Sequence, residues 1–68
     1  MPENITPEMR TKWDERLQFL SRHANKLTDW EAGFVRSLSA FRARGADLSF
    51  RQSITLGKIF HRVEDVVG

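Results

Sequence analysis

Apolar residues recur with helical spacing in three successive stretches of this chain. Met9, Trp13, Leu17, Leu20, Ala24 and Leu27 step by four, four, three, four and three residues, which draws one continuous stripe on a helix of about 3.6 residues per turn. Arg10, Asp14, Gln18, Arg22 and Asn25 fall on the opposite side, so this first helix has one wet face. The second stripe is Trp30, Phe34, Leu38 and Phe41, widened by Val35. The third runs through Leu56, Ile59, Phe60 and Val63 and reaches Val66 or Val67. No alternating pattern of the kind a half-buried strand needs competes with these three.

The stretches are separated by helix punctuation. Thr6 is placed as an N-cap with Pro7 at the first helical position, where a missing N–H costs nothing, and Glu8 adds negative charge to the first turn. Thr28 and Glu31 have the spacing of a capping box, with Leu27 before them and Asp29 inside the first turn. Ser49 and Gln52, preceded by Leu48, repeat that grammar. Gly45 follows Arg42, Ala43 and Arg44 as the residue that closes the second helix in a left-handed conformation. The connection before Thr28 is too short for anything but antiparallel or sharply angled neighbours. The expectation is an all-α fold, a compact three-helix domain with helices at about 7–25, 28–43 and 49–66. Residues 1–68 form one unit, with 1–5 frayed. Gly33 is unfavourable inside a helix, and a close approach of another helix backbone would account for it.

Composition narrows what such a domain can be. Sixty-eight residues lie near the lower limit for a single unstapled core, and the chain has no cysteine to supply a disulfide or a thiolate metal site. An apolar fraction of 40% with 29% charged residues belongs to a globular chain and not to a disordered one. No apolar run approaches the ~20 residues that span a bilayer, and MPENITPEM lacks the basic and apolar regions of a secretory leader, which points to a cytoplasmic protein.

The residue pattern offers little chemistry. His23 and His61 are the only imidazoles and sit on different helices, without cysteine or an HxxxH spacing to complete a metal site. Every serine reads as a cap or a helix-surface residue, and no glycine-rich strand-to-helix turn presents one as a nucleophile. Phosphate-cradling glycine motifs are missing, and the adjacent Glu64 and Asp65 diverge on a helix, the wrong geometry for an acid/base pair. The expectation is a chain that is not an enzyme, with no cofactor and no metal. Trp13 and Trp30 both lie within apolar stripes and read as core anchors.

Charge is where the chain departs from uniformity. Net charge is only +2, but residues 1–32 hold five Lys/Arg against six Asp/Glu while residues 33–68 hold six against three. Between Arg36 and Arg62 the single acid is Asp47. Arg51, Thr55, Lys58 and Arg62 step along one polar face of the third helix, and Arg42 and Arg44 close the second. One use of Arg42, Arg44, Arg51, Lys58 and Arg62 is sequence-tolerant contact with DNA or RNA phosphates. A helix-turn-helix does not fit: with Gly45 as the turn residue, Phe41 stands where a small residue is wanted and Arg51 where an apolar one is.

A second stripe on the third helix, Phe50, Ile54, Gly57 and His61, is distinct from the core stripe, and a bundle this small can hardly bury both. Exposed Phe50 and Ile54, in line with His61 and flanked by Arg51 and Lys58, would form an apolar spot rimmed by positive charge, which suits a protein interface. Self-association into a homodimer is the simplest use of such a spot.

The span LTDWEAGFVRSL, followed after a glycine-containing turn by LSFRQSITLGKIFHRV, resembles a short helical element found in phage and bacterial proteins of DNA metabolism. The matching positions are Leu27, Thr28, Trp30, Glu31, Phe34, Val35, Ser37, Leu38, Leu48, Ser49, Gln52, Leu56 and Ile59. The resemblance implies company among nucleic-acid-handling proteins and carries no catalytic residue. The leading functional expectation is a small phage-type or mobile-element protein-binding module that occupies a surface on a nucleic-acid-handling protein or complex, as an inhibitor or a recruiter. Direct nucleic-acid binding through the basic face is the runner-up, and a structural oligomerisation module the third.

Overall fold

A computed structural model describes residues 5–68. The expected fraying of residues 1–5 therefore lies outside the described residues except at Ile5, which packs half-buried against the core. The architecture is three helices and no strand among the described residues: α1 (Pro7–Arg22), α2 (Asp29–Ala43) and α3 (Phe50–Val67). Both α2 and α3 pack on α1, which is the central element.

The caps sit where the local sequence puts them. The Thr6 Oγ1 accepts from the Met9 N–H at 3.2 Å. The Glu31 N–H donates to the Thr28 Oγ1 at 3.1 Å while the Thr28 N–H donates to the Glu31 carboxylate at 2.9 Å. Ser49 and Gln52 make the same reciprocal pair at 3.1 and 2.8 Å. Gly45 has φ +84°, and the N–H groups of Gly45 and Ala46 return to the carbonyls of Arg42 and Phe41, a complete Schellman motif that satisfies the end of α2. Thr28→Ala is expected to cost about 1 kcal/mol, visible as a lower melting temperature with binding unchanged; an identical thermal melt would refute the capping role.

α1 stops at Arg22, three residues short of the expected end at about 25. His23 leaves the helical region (φ −115°, ψ 37°), and Ala24–Lys26 tighten into a single 3₁₀ turn, a common ending where the last carbonyls need closer partners. Ala24 is consequently exposed, whereas Leu27 still reaches the core from the far side of the turn.

The core consists of Trp13, Leu17 and Leu20 from α1, Val35 and Leu38 from α2, Leu48 from the connection, and Leu56, Ile59 and Val63 from α3. Leu20, Leu56 and Val63 are fully enclosed, and each such side chain contributes about 1.5–3 kcal/mol on burial. Phe19, Phe34, Phe41 and Phe60 seal the edges half-buried.

Further residues of the expected apolar stripes are outside. Met9, Val66 and Val67 lie at helix ends beyond the reach of a neighbouring helix. Trp30, expected as a core anchor, is 64% exposed. The inward line of α2 runs through Glu31, Val35, Leu38 and Arg42, one position past the aromatic Trp30, Phe34 and Phe41, and both charged ends of that line are used. Glu31 is 15% exposed and pairs with Arg62 of α3; Arg42 is 12% exposed and pairs with Asp14 of α1. No backbone approaches Gly33 either: a Cβ there would meet nothing within 4 Å.

Candidate functional site

The outward side of α3 brings together the apolar and basic side chains of the protein-binding set. Successive helical residues turn by about 100°, so Phe50, Ile54 and His61 project opposite Leu56, Ile59 and Val63, which are buried. Ser49 caps the helix one residue earlier, leaving Phe50 at the first helical position, 68% exposed. Ile54, one turn on, is 42% exposed. Arg51 and Lys58 flank the pair, both exposed and without an ion-pair partner among the described residues. His61 is exposed too, with its Nδ1 3.5 Å from the Glu64 carboxylate and its ring tilted against Phe60 at 5.5 Å.

A cation that the sequence pattern did not assign to this face joins it from α1. The Arg16 guanidinium lies over the Phe60 ring at 5.0 Å, and its Nη1 stands 3.2 Å from where a Gly57 Cβ would be. Gly57 thus admits the Arg16 side chain onto the flank of α3. Arg51 and Lys58 flank the Phe50–Ile54 patch, Arg16 stands farther along the helix at Gly57 and Phe60, and no acid occurs in the first two turns of α3. Only the steps of four and three between Phe50, Ile54, Gly57 and His61 hinted at Gly57, and a contact across helices leaves no trace in periodicity.

The five cations of the nucleic-acid alternative are not brought to one surface. Arg42 is locked inward. Its Nε and Nη2 donate to the two Asp14 carboxylate oxygens at 2.9 and 3.3 Å, its Nη1 donates to the Ala46 carbonyl at 2.7 Å and to Asp47 at 3.4 Å, and its guanidinium lies 5.6 Å from the Trp13 ring centre. Arg10 completes the network with a bidentate pair to Asp47 at 2.8 and 3.1 Å. The hydrogen bonds from Arg10 hold the Asp47 carboxyl below its ordinary value, with the charges of Arg10 and Arg42 adding to the effect. The hydrogen bond to Asp14 raises the Arg42 guanidinium, and that to Asp47 raises Arg10. Asp47, the lone acid of the basic segment, is thus the knot between α1, α2 and the connection.

Arg62 is engaged too, donating to the Glu31 carboxylate and, at 3.4 Å, to the Lys26 carbonyl. Arg44 is exposed at the end of α2, 5.8 Å over the Phe41 ring. That leaves Arg44, Arg51 and Lys58 from the alternative set on open surface, split between two elements.

Among the described residues, no three metal-ligating side chains cluster and no helix is long and apolar enough to cross a membrane. Compared with family models, curated proteins and solved structures, the chain matches none.

Proposed function

We propose that this chain is a small non-catalytic protein-binding module that docks through the outward face of α3 onto an apolar site with an acidic rim. Its target in this reading is a nucleic-acid-handling protein or complex, and it acts by occupying that surface, as an inhibitor or a recruiter. The observation that carries the reading is the placement of Phe50 and Ile54, large apolar side chains held in the open on a helix and flanked by Arg51 and Lys58, with Arg16 farther along at Gly57 and Phe60. Aromatic anchors beside arginine are the composition in which binding energy concentrates. The nature of the target is supported by the resemblance of the Leu27–Leu38 and Leu48–Ile59 spans to elements of phage and bacterial DNA-metabolism proteins.

Direct phosphate binding is the weaker reading because two of its five cations, Arg42 and Arg62, are already paired within the fold. The two readings part on a salt titration. Backbone binding would weaken steeply as salt rises, and uniformly across sequences. Fluorescence anisotropy with single- and double-stranded DNA and with RNA is expected to show no binding even at low salt. Binding that Arg51→Ala with Lys58→Ala removes would replace the protein-binding reading with the nucleic-acid one.

A further inference from the structure

The outer face of α2 carries a second exposed aromatic for which the α3 site has no use. Trp30 is held in place by stacking on Phe34, ring centres 5.2 Å apart and planes 12° from parallel. Beside it, a shallow depression is lined by Asp29, Trp30, Gly33, Phe34 and Ser37. Gly33 forms part of that depression although nothing inside the molecule requires a glycine there: its φ is not positive, and a Cβ would meet no atom within 4 Å. A helix-weakening residue without an internal reason, next to an exposed tryptophan, marks a place where another molecule comes close.

Charge placement says which molecule. At about 100° per residue, Asp29 and Arg36 fall on one edge of this face, Trp30 and Ser37 on the other, and Gly33 between them. Both pairs are seven residues apart and centred on Gly33 to within half a residue. Asp29 and Arg36 are exposed, and neither has an ion-pair partner among the described residues. When two copies of α2 run antiparallel about a two-fold axis at Gly33, Asp29 of each copy meets Arg36 of the other along one edge. Along the other edge, each Trp30 lies over Ser37 of the second copy, beside the gap its Gly33 leaves. The arrangement is self-complementary in charge and in shape, the requirement of an isologous interface. The Phe50–Ile54 patch lacks that property, because the charged residues that flank it, Arg51 and Lys58, are both cationic.

We infer that α2 is a self-association seam: the chain pairs with a second copy of itself antiparallel through Asp29, Trp30, Gly33, Arg36 and Ser37, leaving the α3 face of each copy open. One 15-residue helix buries less than the ~800 Å² per partner of a standard stable interface, so the dimer is weak and forms with rising concentration. Sedimentation equilibrium over a concentration series is expected to show the mass climbing from 7.9 kDa toward twice that value. Gly33→Gln, which fills the gap with a good helix former, should melt no lower than the wild type and stay monomeric. Asp29→Lys and Arg36→Glu should each be monomeric alone, because each sets like charges against each other, while their equimolar mixture should dimerise. Phe50→Ala with Ile54→Ser should dimerise as the wild type does. A wild-type mass that stays at 7.9 kDa up to millimolar concentration, a Gly33→Gln variant that still dimerises, or a mixture that remains monomeric would overturn the seam.

Discussion

Arg42→Met is expected to lower the melting temperature by roughly 10 °C while leaving partner binding at wild-type strength once the chain is folded. The substitution keeps most of the stem that lies against Trp13 and removes the guanidinium, and with it the bidentate pair to Asp14, the bond to the Ala46 carbonyl and the contact with Asp47. Charge-assisted bonds of this kind, lost where the side chain is only 12% exposed, amount to about 2 kcal/mol, and in a chain of this size each kcal/mol moves the midpoint by roughly 4–8 °C. Arg42→Lys should recover only part of the loss, because a single ammonium cannot match both oxygens of Asp14.

Acid provides a second handle on the same network. Asp47 is held below its ordinary value in the folded chain, so it contributes stability above about pH 4, its unfolded range, and that contribution drains away as pH falls through the depressed folded value. The wild-type melting temperature should therefore fall on acidification as Asp47 is neutralised, and more steeply than that of an Arg10→Met variant, which lacks the hydrogen bonds that chiefly hold Asp47 down. Wild-type and Arg42→Met melts that coincide at pH 7 would show that Arg42 is a surface cation after all and return it to the phosphate-binding set.

That network marks where reading the chain in one dimension stops working. The helix count, the caps at Thr6, Thr28 and Ser49 and the turn at Gly45 were legible because each is decided within a few residues: a hydroxyl and an acid or amide three apart, a glycine where φ must be positive. The stripes on α1 and α3 were legible for a related reason, since Trp13, Leu17 and Leu20, and likewise Leu56, Ile59 and Val63, are apolar residues at apolar positions. On α2 the aromatic letters give the wrong phase. The inward line begins and ends on charged residues, and what makes Glu31 and Arg42 tolerable there is Arg62, Asp14 and Asp47, whose proximity arises only when the helices meet. Following the aromatic letters instead placed Trp30 in the core. The exposure of Phe50 and Ile54, by contrast, followed from counting two apolar stripes on α3 against a core with room for one. Arg16 at Gly57 again required the packed structure.

Phe50→Ala combined with Ile54→Ser is expected to abolish partner binding in a chain that remains folded. Both side chains already stand mostly or substantially in solvent, and truncating exposed residues away from the core changes stability by only about 0.5 kcal/mol each. At an interface the same truncation removes the anchor, and an aromatic hot spot of 2 kcal/mol or more, together with its neighbour, corresponds to a loss on the order of 100-fold in affinity. The measurement is made with a tagged chain captured from the cells it comes from, the bound protein identified by mass spectrometry, and its affinity for purified wild-type and doubly substituted chains compared beside their circular dichroism spectra. The account predicts a helical double variant that has lost the partner. A double variant that is unfolded at room temperature, or one that is folded and binds the partner as tightly as the wild type, would contradict it.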